Sequence, residues 1–249
     1  MVNRQRVALV TGAARGIGYA IGLRFAQDGY AVALVDINKE AVEQAAQTLA
    51  ADTGAKVIGL SCDVSIVAQL KETVDTCAKS LGGLDVVVNN AGILFSNPIE
   101  EVTEAEWDKV MDVNLKSMFF LVQQALPYLK SGISPRVINI SSLAGRMGGY
   151  EVGLPYSASK GGALALTMGM ARRLAPFQIT VNSVCPSATE SEMIMDWTEE
   201  QRQNLFKDIP LGRAGKPTEI ASAVCFLASK EAAYITGLLM DVNGGAYMG

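Results

Sequence analysis

"RVALV" (residues 6–10) runs directly into "TGAARGIG" (11–18): a β-branched apolar run, a loop with three glycines, then helical periodicity over 17–27. A strand apolar at consecutive positions belongs in a parallel sheet whose two faces are both covered by helices. The same unit recurs along the chain. Further strand candidates are "AVALVD" (31–36), "KVIGLSCD" (56–63), "LDVVVNN" (84–90), "RVINIS" (136–141), "ITVNSVC" (179–185) and "LLMDV" (238–242). Helical patterns fill 39–51, 65–81, 104–129, 156–174 and 218–228, the last preceded by Pro217 at a helix-starting position. This alternation predicts an α/β chain with a doubly wound, seven-stranded parallel sheet and helices on both faces. With 249 residues, 49% of them hydrophobic, and no linker or repeat, residues 1–249 are expected to form one domain.

Composition narrows the partners. A net charge of −4 without like-charge runs offers no footprint for nucleic acid or for an anionic membrane, so neither is expected. No apolar stretch reaches the roughly 18 residues of a spanning helix. A strand starting at Arg6 leaves no room for a signal peptide, so the expected location is cytoplasmic. Cys62, Cys77, Cys185 and Cys225 have no metal-ligand spacing and there is no histidine, so they read as buried free thiols and no metal is expected.

In an open parallel sheet, ligands bind beyond the carboxyl ends of the strands. After the first strand, Gly12, Gly16 and Gly18 let backbone approach a pyrophosphate while the following helix presents unpaired N–H groups. Asp36 ends the second strand, where a carboxylate accepts bonds from a ribose diol or caps the next helix. Asp63 ends the third, where a carboxylate can accept from an adenine amino group, cap the next helix, or do both. "NNAG" (89–92) follows the fourth, with small Ala91 and Gly92. Ser141 and Ser142 end the fifth; Cys185 and Pro186 end the sixth.

"PYSASK" (155–160) then places the Tyr156 hydroxyl and the Lys160 ammonium one helical turn apart. Without histidine, acid/base chemistry needs another proton carrier. Interconverting an alcohol and a ketone by hydride transfer requires one, and a nearby ammonium is expected to draw Tyr156 down from its ordinary pKa near 10.

Taken together, these stretches resemble the short-chain dehydrogenase/reductase family in its compact NAD(P)-dependent form. "TGAARGIG" resembles its cofactor loop, "NNAG" its fourth-strand motif, Asn114 in "VNLK" its helix asparagine, and Ser142 with "YSASK" its active site. "PLGRAGKPTEIA", "FLAS" and "YITG" resemble its carboxyl-terminal signature. The resemblance implies a single-domain Rossmann fold and a homotetramer. It implies Tyr156 as acid/base, Lys160 also bonding the nicotinamide ribose, Ser142 holding the substrate oxygen, and Asn114 positioning a relay water. It further implies cofactor contacts at Gly12, Arg15, Gly16, Ile17, Gly18, Asp36, Asp63, Val64, Asn90, Ala91, Gly92, Pro186, Thr189 and Ser191. Ser187 stands where many relatives have glycine, and Ser191 where the family often has threonine.

Substrate is less legible. Residues 187–206 mix Met193, Ile194, Met195 and Trp197 with acidic residues, as a lid over a small molecule would. The acyl-carrier-protein reductases of the family resemble the "GGAYM" end (244–248) but usually favour NADPH and carry basic residues for an acidic carrier. Here Asp36 points to NAD, and Phe177 stands where a basic residue would suit a carrier. The expected reaction is therefore NAD-dependent interconversion of a secondary alcohol and a ketone on a polyol, sugar or hydroxyacyl compound. 3-Oxoacyl-[acyl-carrier-protein] reduction is the alternative. A non-catalytic nucleotide sensor is a third reading, opposed by the intact Ser142, Tyr156 and Lys160. A methyltransferase on a similar sheet would have no use for that pair.

Overall fold

The computed structural model describes residues 4–149, 152–190, 198 and 206–249. Seven strands form one all-parallel sheet: β1 (Val7–Thr11), β2 (Ala31–Asp36), β3 (Val57–Ser61), β4 (Val86–Asn89), β5 (Arg136–Ile140), β6 (Thr180–Pro186) and β7 (Leu239–Val242), in the order β3-β2-β1-β4-β5-β6-β7. The order reverses between β1 and β4, so the glycine loop after β1 and "NNAG" after β4 face one crevice.

The helices are α1 (Gly16–Gln27), α2 (Lys39–Thr53), α3 (Val67–Leu81), α4 (Glu104–Met111), α5 (Ser117–Leu129), α6 (Ala144–Met147), α7 (Leu154–Leu174) and α8 (Pro217–Ala228). Alternating strand side chains feed two cores. Val7, Leu9, Ala33 and Val35 pack with α3, α5 and α7. Ala8, Val10, Val32 and Leu34 pack with α1, α2 and α8. β1, β2, β4, β5 and β6 are buried almost throughout because both faces are covered, and β1, β2 and β4 are apolar along nearly their whole length.

The single helix expected over 104–129 is instead two helices joined by a π-turn at Asp112–Lys116. The wider turn breaks the α-helical repeat at Asn114, whose side chain is buried. α3 begins two residues later than expected because Asp63 Oδ1 accepts the Ser65 N–H (2.9 Å) and hydroxyl (2.6 Å), holding that stretch in a turn. α6 was not anticipated from the sequence. The lid proposed at 187–206 lies largely outside the described residues.

α7, which carries Tyr156 and Lys160, is pinned to the sheet by a buried polar line. The Asn89 amide donates to Asn139 Oδ1 (2.8 Å), and the Asn139 amide donates to Thr167 Oγ1 (2.8 Å). Each group is satisfied only when α7 sits at one axial position, so the line sets where the catalytic candidates fall. All four cysteines are free and buried; burial pushes Cys77 and Cys225 up to about 12. Among the described residues, no helix is long and apolar enough to cross a membrane.

Candidate active site

At the carboxyl edge, the sheet and its loops enclose two adjoining cavities. One, of ≈ 250 Å³, is lined by Ile17, Asn90, Gly92, Ile93, Ser142, Tyr156, Lys160, Pro186, Ser187 and Thr189, among others. The other, of ≈ 170 Å³, is lined by Gly12, Asp36, Ile37, Asp63, Val64, Ala91, Gly92 and Lys109, among others. They meet at Gly92 and Ile93, which line both, beside the switch point.

The glycine loop is built for close approach. Gly12 has φ +62°, and a Cβ there would lie 2.9 Å from Ala91 Cα. A Cβ on Gly18 would lie 2.2 Å from the Gly12 carbonyl oxygen, so neither position accepts a side chain without moving backbone. Asn90 braces this loop, donating from its amide to the Thr11 (2.8 Å) and Gly12 (3.0 Å) carbonyls. Thr11 Oγ1 in turn accepts the N–H groups of Asn90 and Ala91, both at 3.0 Å. The sequence reading missed Thr11, though it lies inside the quoted glycine stretch. Gly16 and Arg15 are exposed at the start of α1.

Asp36 accepts the Ala14 N–H on Oδ2 and the Asn38 N–H on Oδ1, each at 3.1 Å. Asp63 is raised by burial, but the Ser65 hydroxyl and N–H and the Lys109 ammonium 3.8 Å away more than offset this and hold it below the usual carboxylate range. Val64 lines the same pocket.

At the other end, the Tyr156 phenol lies within hydrogen-bonding reach of Ser142. Ser142 Oγ already accepts the Ala144 N–H (3.1 Å), which leaves its own proton to be donated outward. Lys160 is buried; its ammonium donates to the Ile140 carbonyl (2.8 Å) and lies 5.6 Å from the centre of the Tyr156 ring. Asn114 brackets the chain opposite, accepting the Ile93 N–H (2.8 Å) and donating to the Ile93 carbonyl (2.9 Å) and to Ser159 Oγ (3.1 Å). Ser159 was visible within "YSASK" but was not assigned a part.

The electrostatics correct one expectation. Lys160 does not bring Tyr156 down; burial pushes the phenol above its ordinary value, and the Ser142 bond offsets only part of this. The ammonium is turned to the Ile140 carbonyl, and its own burial lowers it to about 8. With a folded value near 8 against 10.5 in the unfolded chain, Lys160 burdens folding most below pH 8. That burden is relieved as pH rises from about 8 toward 10.5. Lys160→Met is therefore expected to gain unfolding free energy relative to the unmodified chain at pH 7. The gain should shrink as pH rises from about 8 toward 10.5. Urea unfolding at pH 7, 8.5 and 10 checks this, and a pH-independent difference would contradict it.

Pro186 and Thr189 line the cleft; Thr189 Oγ1 donates to the Ser187 carbonyl (3.1 Å) and its backbone pairs with Gly215. Ser191 lies outside the described residues. Lys109 was not anticipated, since a lone lysine on a helix surface carries no signal in the sequence.

These residues fit a nicotinamide dinucleotide. A loop closed to side chains at Gly12 and Gly18 and opening onto a helix N-terminus suits its pyrophosphate, and a fixed carboxylate at the end of β2 suits its adenosine ribose. A family model described as Enoyl-(Acyl carrier protein) reductase matches residues 12–247. The 3-oxoacyl-[acyl-carrier-protein] reductase FabG of Staphylococcus aureus is 40% identical over 244 residues, covering 97% of this chain and 98% of the relative. FabG of Vibrio cholerae is 40% identical over 243 residues, covering 98% of each. Among solved structures, a short-chain dehydrogenase/reductase named as a glucose/ribitol dehydrogenase, from Brucella melitensis, matches with TM-score 0.90 and 33% identity, over 99% of this chain and 98% of that one. A putative short-chain alcohol dehydrogenase from Sinorhizobium meliloti matches with TM-score 0.91 and 34% identity, over 98% and 96%. Fold, groove and these likenesses over nearly its whole length agree: the chain belongs to the short-chain dehydrogenase/reductase family of nicotinamide-dependent oxidoreductases.

Proposed function

We propose that the protein reduces the ketone of a 3-oxoacyl thioester to a secondary alcohol. The observation that carries this reading is the placement of the Tyr156 phenol in the cleft, within reach of Ser142. A reductase needs a proton donor at the carbonyl oxygen, and a phenol above its ordinary pKa stays loaded at neutral pH. Reduced nicotinamide, when bound, supplies the hydride to the carbonyl carbon. Ser142 donates a hydrogen bond to the carbonyl oxygen and Tyr156 passes it the proton. Lys160, at about 8, lies near enough to neutrality to replace that proton. Asn114 holds Ile93, which lines the cleft, and Ser159, one residue before Lys160, and so fixes both walls.

The curated relatives are named for 3-oxoacyl-carrier substrates, which favours this substrate class over the polyol or sugar expected from sequence. Phe177 also loses its force as an argument against an acidic carrier, because the Lys130 ammonium rests 3.9 Å from its ring centre and supplies positive charge at that corner. The second reading, a sugar or polyol, has its own support in the hydroxyls of Ser187 and Thr189 along the cleft and in the name of the Brucella neighbour. Purified protein assayed by nicotinamide absorbance with acetoacetyl-CoA, acetoacetyl-carrier protein, ribitol and glucose separates them. Thioester reduction with little polyol oxidation is expected. The reverse pattern would overturn the first reading, and no turnover with any substrate would favour the sensor.

Assembly as a homotetramer belongs to the same reading. Phe119 on α5, Met168 on α7, Phe226 on α8 and Met248 near the carboxyl end are exposed apolar side chains on faces a single chain leaves uncovered. Light scattering on a sizing column is expected to give four chains per particle; a monomer at working concentration would contradict it.

A further inference from the structure

The adenosine end of the groove holds a charged pair, of which Asp63 is already expected to contact the cofactor and Lys109 has no part in the family chemistry above. Its ≈ 170 Å³ cavity is walled by apolar Ile37, Val64, Ile93 and Val113, with Asp63 and Lys109 at the rim. Asp63 Oδ1 is committed to the Ser65 N–H and hydroxyl. Oδ2 faces the Lys109 ammonium across 3.8 Å, too far for a hydrogen bond. An acceptor and a donor therefore stand side by side beside an apolar slot, each with capacity to spare. The edge of adenine carries the complementary pair, an amino donor next to a ring-nitrogen acceptor.

We propose that Lys109 is a specificity-determining residue of the cofactor site. It donates to a ring nitrogen of the adenine base while Asp63 Oδ2 accepts from the amino group, so that the two read the base edge together. This rests on the dinucleotide reading of the groove. Lys109 is 48% exposed, and a pair that far apart in water contributes little to stability. A base laid against the apolar wall excludes water from the pair and strengthens both bonds. Lys109 also neutralises Asp63, which would otherwise add to the negative charge of Asp36 facing an anionic ligand.

The test is binding rather than turnover. NADH binding is followed by its fluorescence, and adenosine, which has no phosphate, by NMR titration. Lys109→Met is expected to weaken both by the same factor, about 5- to 20-fold, and Lys109→Arg to restore most of the loss. Inosine, with a carbonyl in place of the amino group, is expected to bind the unmodified protein more weakly than adenosine. Thermal unfolding of the variants confirms that the fold is kept. A loss confined to NADH would mean that Lys109 only attracts the pyrophosphate, and would overturn the proposal. So would equal binding of inosine and adenosine, or a Met variant matching the unmodified protein. If the unmodified protein binds neither NADH nor NADPH, the dinucleotide reading itself falls and takes this one with it.

Discussion

Tyr156→Phe is expected to lower kcat for ketone reduction by about 10²- to 10⁴-fold, the range over which a positioned general acid acts. The effect should fall on kcat, with cofactor affinity and thermal stability little changed. The ring is retained, and with it the packing at the start of α7. Ser142 keeps its bond from the Ala144 N–H when the phenol is gone, so no buried acceptor is stranded. What disappears is one transferable proton. Among the described residues no histidine can substitute, because the chain contains none. Lys160 cannot take over directly, since its ammonium is turned to the Ile140 carbonyl. Rates from stopped-flow reduction at saturating cofactor, with cofactor Kd measured separately, check this. A Phe variant with near-normal kcat would show that the proton comes from elsewhere and would return Tyr156 to an ordinary helix position.

The same residues show what a sequence can and cannot convey. The sheet was legible because burial on both faces leaves long apolar runs, and strands such as Ala31–Asp36 match the predicted run residue for residue. Residues on the carboxyl edge were legible for a related reason: parallel topology sends every strand end to one side, so Asp36, Asp63, Asn90 and Ser142 had to gather there. The π-turn at Asn114 was not, because helical periodicity through 104–129 is nearly unaffected by one widened turn. The protonation balance of Tyr156 and Lys160 was also hidden. Spacing shows that the two are one turn apart, but it does not show that Lys160 is buried and Tyr156 half-buried, or that the ammonium has a carbonyl closer than the phenol. Burial raises an acid and lowers a base, and it is the largest cause of both shifts. Lys109 was out of reach for the simplest reason: its significance depends on Asp63, 46 positions earlier in the chain.

Cofactor choice is expected to rest on Asp36. Two backbone N–H groups hold its carboxylate, one on each oxygen, so it enters the site already oriented. A carboxylate has about four acceptor positions, which leaves two for the hydroxyls of a ribose diol. Each charge-assisted bond contributes on the order of 1.5 to 3 kcal/mol. A 2′-phosphate in the same place would meet a like charge that Ala14 and Asn38 prevent from turning away. At an effective dielectric near 20 that repulsion amounts to about several kcal/mol before relaxation. Two cations argue the other way. Arg15, exposed at the start of α1, lies in the glycine loop, where an arginine accommodates such a phosphate. Lys109 lines the pocket but faces Asp63, and Ile37 and Asn38 add no charge beside Asp36. The carboxylate is held at the end of β2 by two backbone bonds, so the expected outcome is a kcat/KM for NAD(H) well over tenfold above that for NADP(H). Asp36→Ser should narrow the gap mainly by raising use of NADP(H). Asp36→Asn, which keeps an acceptor oxygen for the loop while removing the charge, should narrow it with less cost to NAD(H). Equal efficiency with both cofactors in the unmodified protein would show that Arg15, and not Asp36, governs this end of the site.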